Sequence, residues 1–442
     1  MDTIIAPITP LIVSSVILVR ISGPDSLKAL TFINGCKNII PKKIYYGNFI
    51  DKKSELYDSV LYYYFKAPYS YTGEDVLEIS FHGNPVIVKK AIVSMINLGF
   101  RHAEPGEFTK RAFLNGKIDL TEAEAVLNLI NAKSDMAIKN SFTQLHGGLK
   151  NKIYQIKDAL IDVVSDIEAV VDYTEEDDVF IDFDKYSNRM SFVKNVIENL
   201  LNDYKENRNY VKNDINVVIV GKPNVGKSTL FNVLVGEERA IVSSLPGTTR
   251  DYIEKDVFIN NINFNLIDTA GIREEPDSLE RYGINSTYKL LGEADLILFV
   301  MDLSKMYDNT DKLIFDLIKN KNYIIVGNKM DLPELLNYKV DIYVSVKERY
   351  NIDKLKSLIL DRAGIADLSK KIDNVIIQER HAILLKKIYE IIDNIMTLNI
   401  ESHMDIISSE LQCALLYLSE ITGEIYTEDV IANIFNKFCV GK

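Results

Sequence analysis

Cysteine is scarce. The 442 residues hold three, Cys36, Cys413 and Cys439, and no CxxC pair. That excludes a disulfide framework and a paired-cysteine zinc site, and it is the usage expected in a reducing cytoplasm. Positive charge is also in deficit, with 51 Lys and Arg against 63 Asp and Glu and a formal net charge of −12. An acidic surface repels polyanions and releases no counterions from them. Indiscriminate nucleic-acid binding is therefore excluded, and any RNA contact must be local or shared with a partner. Long apolar runs are missing as well. The run Leu11 to Val19 is far too short to span a bilayer and follows Asp2 with no Lys or Arg between them. It reads as a buried strand, not as a membrane anchor or a signal segment. Neither an internal repeat nor a low-complexity tract is visible.

The length suggests roughly two to four domains, because a single hydrophobic core does not grow that large. Residues 1–118 alternate short apolar runs, Val16 to Ile21, Ser59 to Phe65 and Asp75 to Phe81, with Gly, Pro and Asn turns, the texture of an α+β domain. Val86, Ile87, Ala91, Ile92 and Ile96 fall at helical spacing and predict a helix over Pro85 to Leu98. Thr121-Glu122-Ala123-Glu124 has the pattern of a capping box and opens a helical region over 119–212. There Ile153, Ile156, Leu160, Val163, Val164, Ile167 and Val170 form one apolar stripe suited to a bundle. The acidic stretch Glu175 to Asp184 lacks the fixed ligand spacing of a metal loop and reads as a solvated segment.

At Ile215 the texture becomes strand, Gly-rich turn, helix and strand again, as in a parallel sheet with crossover helices, and this continues over 213–370. Residues 371–442 are helical once more, with Leu411, Leu415, Leu416 and Leu418 on one stripe and Ile431, Ile434, Phe435 and Phe438 on another. The simplest architecture is a multidomain α/β chain in which a nucleotide-binding domain interrupts a helical one.

Apolar Val217 to Val220 leads into Gly221-Lys222-Pro223-Asn224-Val225-Gly226-Lys227-Ser228, which matches GxxxxGK[ST] between a strand and a helix. That context separates a phosphate-binding loop from an ordinary glycine turn. The glycines let backbone amides and the helix N-terminus face the phosphates, Lys227 supplies a cation, and the Ser228 hydroxyl can ligate magnesium. Nucleotide contacts are expected from Asn224, Val225, Gly226, Lys227, Ser228 and Thr229. A second strand, Phe264 to Ile267, ends at Asp268-Thr269-Ala270-Gly271, where a carboxylate can reach magnesium through water and a glycine amide can approach the γ-phosphate. A third, Tyr323 to Val326, precedes Asn328-Lys329-Met330-Asp331. Guanine offers two donors to the Asp331 carboxylate, and adenine offers no such pair, so the wrong base leaves a desolvated carboxylate unpaired. Sites of this kind discriminate by roughly 10⁴. Ser345-Val346-Lys347 fits a loop closing over the base. GTP is the expected nucleotide.

In Ras-like proteins a Gln directly after the DxxG motif orients the attacking water; here that position is Ile272. Since one arginine finger is worth about 10³ to 10⁵ in rate, another positive charge has to replace it. Between the phosphate-loop helix and the second strand lies Ser243-Ser244-Leu245-Pro246-Gly247-Thr248-Thr249-Arg250-Asp251, in which Thr249 can serve as the switch threonine on magnesium. The residues leave two sources open for the charge, Arg250 or a bound monovalent cation.

Taken together, GKPNVGKS, IVSSLPGTTRD, DTAGIRE, NKMD and the closing Phe438-Cys439-Val440-Gly441-Lys442 resemble the MnmE, or TrmE, family of tRNA-modification GTPases over essentially the whole chain. Arg20-Ile21-Ser22-Gly23, the segment Ser70 to Glu78 and the segment Pro105 to Lys117 add to the likeness. The resemblance implies a Ras-like G domain inserted into an α-helical domain, preceded by an α+β N-terminal domain like those that bind tetrahydrofolate. It implies a homodimer joined through the N-terminal domains and a heterotetramer with the FAD-dependent protein MnmG. Together these act on carbon 5 of the wobble uridine, U34, of certain tRNAs and install a carboxymethylaminomethyl-type group. A tetrahydrofolate derivative, the 5-formyl or 5,10-methylene form, is the one-carbon donor.

Carried across by motif, the resemblance puts Asn224, Ser243, Leu245 and Thr248 on potassium and Ser228 and Thr249 on magnesium. Ser244, Pro246 and Gly247 then lie along the nucleotide. Glu280, in Glu280-Arg281-Tyr282-Gly283, matches the acidic residue that positions the attacking water. Folate contacts map to Arg20, Glu78, Lys117 and Lys442, and Cys439 matches a functionally sensitive cysteine. Catalytic roles thus fall to Lys227, Thr249, Glu280 and Cys439. The chain departs from the family at Ile12 and Ser14, where glycines are usual, at Val346, where Ala is common, and at Asn84, where Asn replaces a glycine and a positive φ is expected. His82 reads as a packing or turn residue. The alternatives are a ribosome-assembly switch of the Era or Der type and a folate-binding scaffold with vestigial GTPase activity. The expected location is the cytoplasm, without a membrane partner.

Overall fold

The computed structural model describes residues 2–34, 39–50, 56–132, 135–172, 181–211, 215–236, 253–259, 262–268, 290–364 and 377–442. The chain divides into two compact units, one of residues 1–130, 142–198 and 383–442, the other of residues 131–141 and 199–382.

In the first unit seven strands form one sheet: β1 (Ile4–Pro7), β2 (Val16–Ser22), β3 (Ile33–Asn34), β4 (Ile44–Ile50), β5 (Leu56–Phe65), β6 (Val76–His82) and β7 (Arg101–His102), ordered β3-β4-β5-β6-β2-β1-β7. Their alternation is the source of the core. Ile17, Val19 and Ile21 of β2 and Leu77, Ile79 and Phe81 of β6 point the same way, onto Val88, Ala91, Ile92 and Met95 of helix α1 (Pro85–Ile96). Asn84 caps that helix by accepting the Val86 N–H at 2.8 Å, with φ of −108°, so it stands in extended and not left-handed backbone. The cap is what replaces the expected positive φ: Asn supplies an oxygen that glycine lacks. The strand expected over Leu11 to Val19 begins only at Val16, and Ile12 and Val13 are exposed. Residues 11–15 bend instead toward Gly83, whose carbonyl accepts the Ser14 N–H at 3.0 Å. Apolar composition alone did not register that turn. His82 is not packed, for its side chain is exposed, but it does enter a turn: it ends β6, its carbonyl accepts the Asn84 N–H at 2.6 Å, and Nδ1 pairs with buried Asp58 Oδ1 at 2.6 Å.

Helices α2 (Glu107–Leu114), α3 (Leu120–Asn131), α4 (Asp135–Leu145), α5 (Gly148–Asp172) and α6 (Phe183–Val211) follow. The box that opens α3 is Asp119 with Glu122, one frame ahead of the expected Thr121 and Glu124. Asp119 Oδ1 accepts the Glu122 N–H, and Glu122 accepts the Asp119 N–H, both at 2.8 Å. Thr121 is buried and donates to Asp119, because the Asp carboxylate is the stronger acceptor and captures the frame. All seven stripe residues of α5 are buried. Each contributes roughly 1.5–3 kcal/mol relative to exposure, which is what offsets the ordering of a long helix. Later in the chain come α10 (Glu379–Ile395), α11 (Met404–Thr422) and α12 (Glu428–Phe435) of the final helical stretch. On α11 the buried stripe is Ile407, Leu411, Ala414, Leu418 and Ile421; Leu416 faces solvent, since it lies off the three-and-four spacing that the others keep.

The last residues return to the N-terminal sheet region. Phe435 and Phe438 pack on Phe113 and Leu120, Val440 bridges Pro105, and Lys442 O accepts the Phe108 N–H at 3.1 Å. Gly106 makes this possible, for its φ is +69° and a Cβ there would stand 2.6 Å from Phe435 O.

Arg111, its side chain 7% exposed, binds Asp2 at 2.6 Å, Glu107 at 3.0 Å and Glu74 at 3.1 Å, the latter two carboxylates each 10% exposed. Burial raises the Glu107 carboxyl, but donors from Arg101 and Arg111 outweigh it and leave it below its ordinary value. Arg111→Met should therefore cost about 3 kcal/mol in urea unfolding at neutral pH, because the largely buried Glu74 carboxylate loses its cation and Glu107 keeps only Arg101. Wild type should lose stability as acid protonates Asp2 and Glu107, whose carboxyls are held below their ordinary values.

Candidate functional site

The second unit carries a six-stranded sheet ordered β13-β12-β11-β8-β10-β9: β8 (Ile215–Val220), β9 (Ile253–Ile259), β10 (Ile262–Asp268), β11 (Leu296–Asp302), β12 (Tyr323–Asn328) and β13 (Ile342–Tyr343). β8, β10, β11, β12 and β13 run parallel; β9 is an antiparallel edge. The near-continuous apolar runs of β8 and β11 suit strands covered on both faces, here with α7 (Lys227–Gly236), α8 (Asn309–Ile318) and α9 (Ile352–Arg362). In such sheets the residues just past the carboxyl ends converge, and the motifs stand there: the phosphate loop after β8, Asp268 at the end of β10, Asp302 at the end of β11, Asn328 at the end of β12 and Ser345 after β13.

The loop 221–228 curls as its glycines require. Gly226 has φ +102°, and a Cβ on it would lie 2.3 Å from Asn328 Nδ2. Asn224 is exposed and left-handed at φ +63°, and Ser228 and Thr229 are exposed at the first turn of α7. Lys227 is buried and donates to the Lys222 carbonyl at 2.8 Å. Val225 is buried, and its carbonyl accepts Asn328 Nδ2 at 2.8 Å, while Asn328 Oδ1 accepts the Val346 N–H at 3.1 Å. One buried amide thus ties the phosphate loop to both base-side loops. Lys329, at φ +69°, reaches buried Asp302 at 2.6 Å. Burial raises the Asp302 carboxyl, yet Lys329 and Ser304 donors bring it below its ordinary value. Asp331 is exposed and accepts the Ser345 hydroxyl at 2.6 Å, which holds its carboxyl below the ordinary 3.8. Lys347 is exposed beside it and Asp268 is buried. Ser243, Ser244, Leu245, Pro246, Gly247, Thr248, Thr249 and Arg250, and likewise Thr269, Ala270, Gly271, Ile272 and Glu280, lie outside the described residues.

A second grouping lies in the first unit. Arg20 and Glu78 are register partners on β2 and β6 and meet at 2.6 Å. The guanidinium stands 5.0 Å from the Tyr71 ring centroid and 5.5 Å from that of Phe108, whose N–H holds Lys442 O. Lys117 donates to Pro68 O at 3.0 Å and packs beside Gly73, on the segment that carries Tyr71. Cys439 is exposed, and its carbonyl accepts the Gly106 N–H at 3.4 Å. Glu78 thus meets Arg20 directly, the Lys442 backbone reaches it through Phe108, and Lys117 lies on the neighbouring 68–73 segment.

The family model described as the MnmE helical domain matches residues 120–439, and that described as the N-terminus of GTP-binding protein TrmE matches residues 3–117. The chain is 41% identical over 449 residues to the tRNA modification GTPase MnmE of Aquifex aeolicus, covering 100% of both chains. It is 39% identical over 466 residues to that of Thermotoga petrophila, again over 100% of both. The chain belongs to the MnmE family. Among solved structures, Aquifex aeolicus Era bound to GDP and AlF4− is similar at 28% identity over 42% of this chain and 68% of that one, with a TM-score of 0.28.

Beyond the residues that likeness to MnmE singles out, the structure adds Lys222 with Asp308 and Asp311, which interlock beside the phosphate loop, and Asp302, which pairs with Lys329. No functional motif announces Asp308 and Asp311, which follow β11 in a stretch of ordinary loop composition. Asp302, which ends an apolar strand in the same way as Asp268, was the available signal.

Asn328→Ala removes both clasps and leaves a buried carbonyl and a buried N–H without it; at about 1–3 kcal/mol per unmet group, GTP affinity measured by equilibrium titration should fall at least about tenfold. Measured at each pH as the ratio of wild-type to Asp331→Asn affinity for GTP, the Asp331 contribution should persist as pH falls to the ordinary carboxylate value of 3.8 and fade only below it, since it is lost when pH drops through the depressed value.

Proposed function

We propose that this protein hydrolyses GTP at the carboxyl edge of the six-stranded sheet and, through that cycle, takes part in modifying the wobble uridine of tRNA. The observation that carries the first half is the Asn328 clasp, which sets a phosphate loop and a guanine-type carboxylate on one rigid edge. Family membership supports the second half.

In this reading the loop amides of 224–229 and Lys227 hold the β- and γ-phosphates. To reach them Lys227 leaves the Lys222 carbonyl, an exchange of one oxygen for a more negative one. Ser228, exposed at the helix start, and Thr249 would hold magnesium, and the buried Asp268 would serve it through water. Asn224, turned outward in left-handed backbone, is a fitting oxygen donor for a monovalent cation together with Ser243, Leu245 and Thr248. A potassium ion held there would supply the positive charge that an arginine finger supplies elsewhere, and Glu280 would orient the water. Asp331 receives the guanine donors, and Ser345, Val346 and Lys347 close the base side. The remaining nucleotide contacts fall to Ser244, Pro246 and Gly247 and to Thr269, Ala270, Gly271 and Lys329.

The Arg20, Glu78, Lys117 and Lys442 grouping suits a tetrahydrofolate derivative. Glu78 would accept from a pterin edge, the exposed Tyr71 offers it an aromatic neighbour, and Lys117 and Lys442 would take the glutamyl tail. Bound there, the folate supplies a one-carbon unit; the chain's own groups orient and enclose it, with exposed Cys439 on the same closing segment. The exposed apolar residues Ile44, Tyr46 and Leu61 on β4 and β5 support pairing of N-terminal domains into a homodimer. MnmG is the expected partner on tRNA, and the division 1–118, 119–212, 213–370 and 371–442 is the domain plan that goes with these roles. No described helix is long and apolar enough to cross a membrane. The family match over both the N-terminal and the helical segments favours this reading over an Era-type or Der-type switch.

Asp331→Asn should shift preference from GTP toward xanthosine triphosphate, read as a ratio of kcat/KM values for the two nucleotides. Hydrolysis should run much faster in potassium than in sodium, and equal rates in the two salts would reject the cation assignment. Mass spectrometry of tRNA from a strain without the protein should reveal an altered wobble uridine; an unchanged one would defeat the tRNA role.

A further inference from the structure

The second position of the phosphate loop is a lysine that does not face the phosphate side. Lys222 Nζ lies 2.9 Å from Asp308 Oδ2 and 2.7 Å from Asp311 Oδ2, with its side chain 14% exposed and that of Asp311 3% exposed. Both carboxylates have a second duty. Asp308 is the N-cap of α8, accepting the Thr310 and Asp311 N–H groups, and Asp311 closes the capping box by accepting the Asp308 N–H at 3.2 Å. The receiving end is thus held by helix geometry on one side and by the core on the other. The same peptide unit matters at its other end, because the Lys222 carbonyl is the acceptor that holds the Lys227 ammonium at 2.8 Å.

We propose that Lys222 is a positioning residue for the phosphate loop: pinned by Asp308 and Asp311, it holds the backbone oxygen on which Lys227 rests and the amides that follow it in the arrangement that receives a triphosphate. A long, flexible lysine in a loop would ordinarily cost rotamer entropy and leave the first half of the loop free to move. Two carboxylates, one of them buried, remove that freedom before the nucleotide arrives, so the ordering cost is not charged against binding. The interaction is equally present in the ground and transition states, and its loss therefore belongs mainly in KM.

The inference rests on the reading of residues 221–228 as the phosphate loop, and the experiment separates the two. GTP hydrolysis and equilibrium binding of GTP and GDP are measured on the full-length protein and on Lys222→Met, Lys222→Arg, Asp311→Asn, Asp308→Asn and the Lys222→Met/Asp311→Asn double variant, each with its thermal melt. The Asn substitutions keep a side-chain acceptor for the helix cap while removing charge. Lys222→Met should raise KM for GTP about tenfold with a much smaller fall in kcat, and Lys222→Arg should recover most of that, because a guanidinium can span both carboxylates. Asp311→Asn should weaken binding in the same direction, and the double variant should be no worse than the poorer single one.

A lysine acting directly on the phosphates gives the opposite sign: freeing it from Asp311 would tighten GTP. Tightening in Asp311→Asn, additive losses in the double variant, or an unchanged KM with only a lower melting temperature would each overturn the proposal. Should Asp311→Asn not fold, Lys222→Met against Lys222→Arg and Asp308→Asn decide it on the same criteria. Failure of the wild-type protein to bind GTP would instead overturn the phosphate-loop reading itself.

Discussion

The nucleotide-binding unit depends on one buried carboxamide. Asn328 gives its N–H to the Val225 carbonyl and takes the Val346 N–H on its oxygen, so three loops that leave three different strands are held at fixed spacing by groups no larger than a peptide. The clasp works because Gly226 has no Cβ: any side chain there would stand where the amide nitrogen is. It is also buried, which makes an unmet partner expensive and confines the three loops to one arrangement. A phosphate loop and a base loop that moved independently would each have to be ordered by the ligand.

Around this clasp sit two ion pairs of the same logic. Lys329 pairs with buried Asp302 and Lys222 with buried Asp311, so both cation-bearing loops are anchored to the end of β11 and the start of α8. Each lysine is partly exposed and each carboxylate is not. The carboxylates are the fixed points, and the loops are fastened to them. The first unit shows the same economy in its own site, where Arg20 is held by Glu78 and flanked by two aromatic rings. The final residues reach that arginine through Phe108, whose ring touches the guanidinium and whose N–H holds Lys442.

How much of this could be read before the structure differs from place to place. The helix over Pro85–Ile96 and the stripe of α5 follow from spacing alone, because an amphipathic period is a local property and both faces were unambiguous. Errors arose where two local solutions competed. Asp119-Leu120-Thr121-Glu122 and Thr121 to Glu124 are both plausible caps, and the choice was made by acceptor strength and by the burial of Thr121. Leu11 to Ser15 looked like strand by composition, yet Ser14 pairs with Gly83, a contact across about seventy residues that no local pattern encodes. Leu416 was placed on the wrong side because a run of leucines satisfies more than one face.

By itself the sequence determined where the GKPNVGKS and NKMD motifs stand, the loops proposed for phosphate and guanine, since both are contiguous and their donors and acceptors are set by residue type at short range. It also determined the family, through residues spread over the full length. Only the tertiary structure decided that Asn328 joins those loops, that Lys222 turns away to Asp308 and Asp311, and that Arg20 meets Phe108 and, through it, Lys442. Each of these is a contact between segments separated by eighty residues or more. Their existence depends on strand order and on which side chains remain unpaired after the core has closed, and neither is a property of any short stretch of chain.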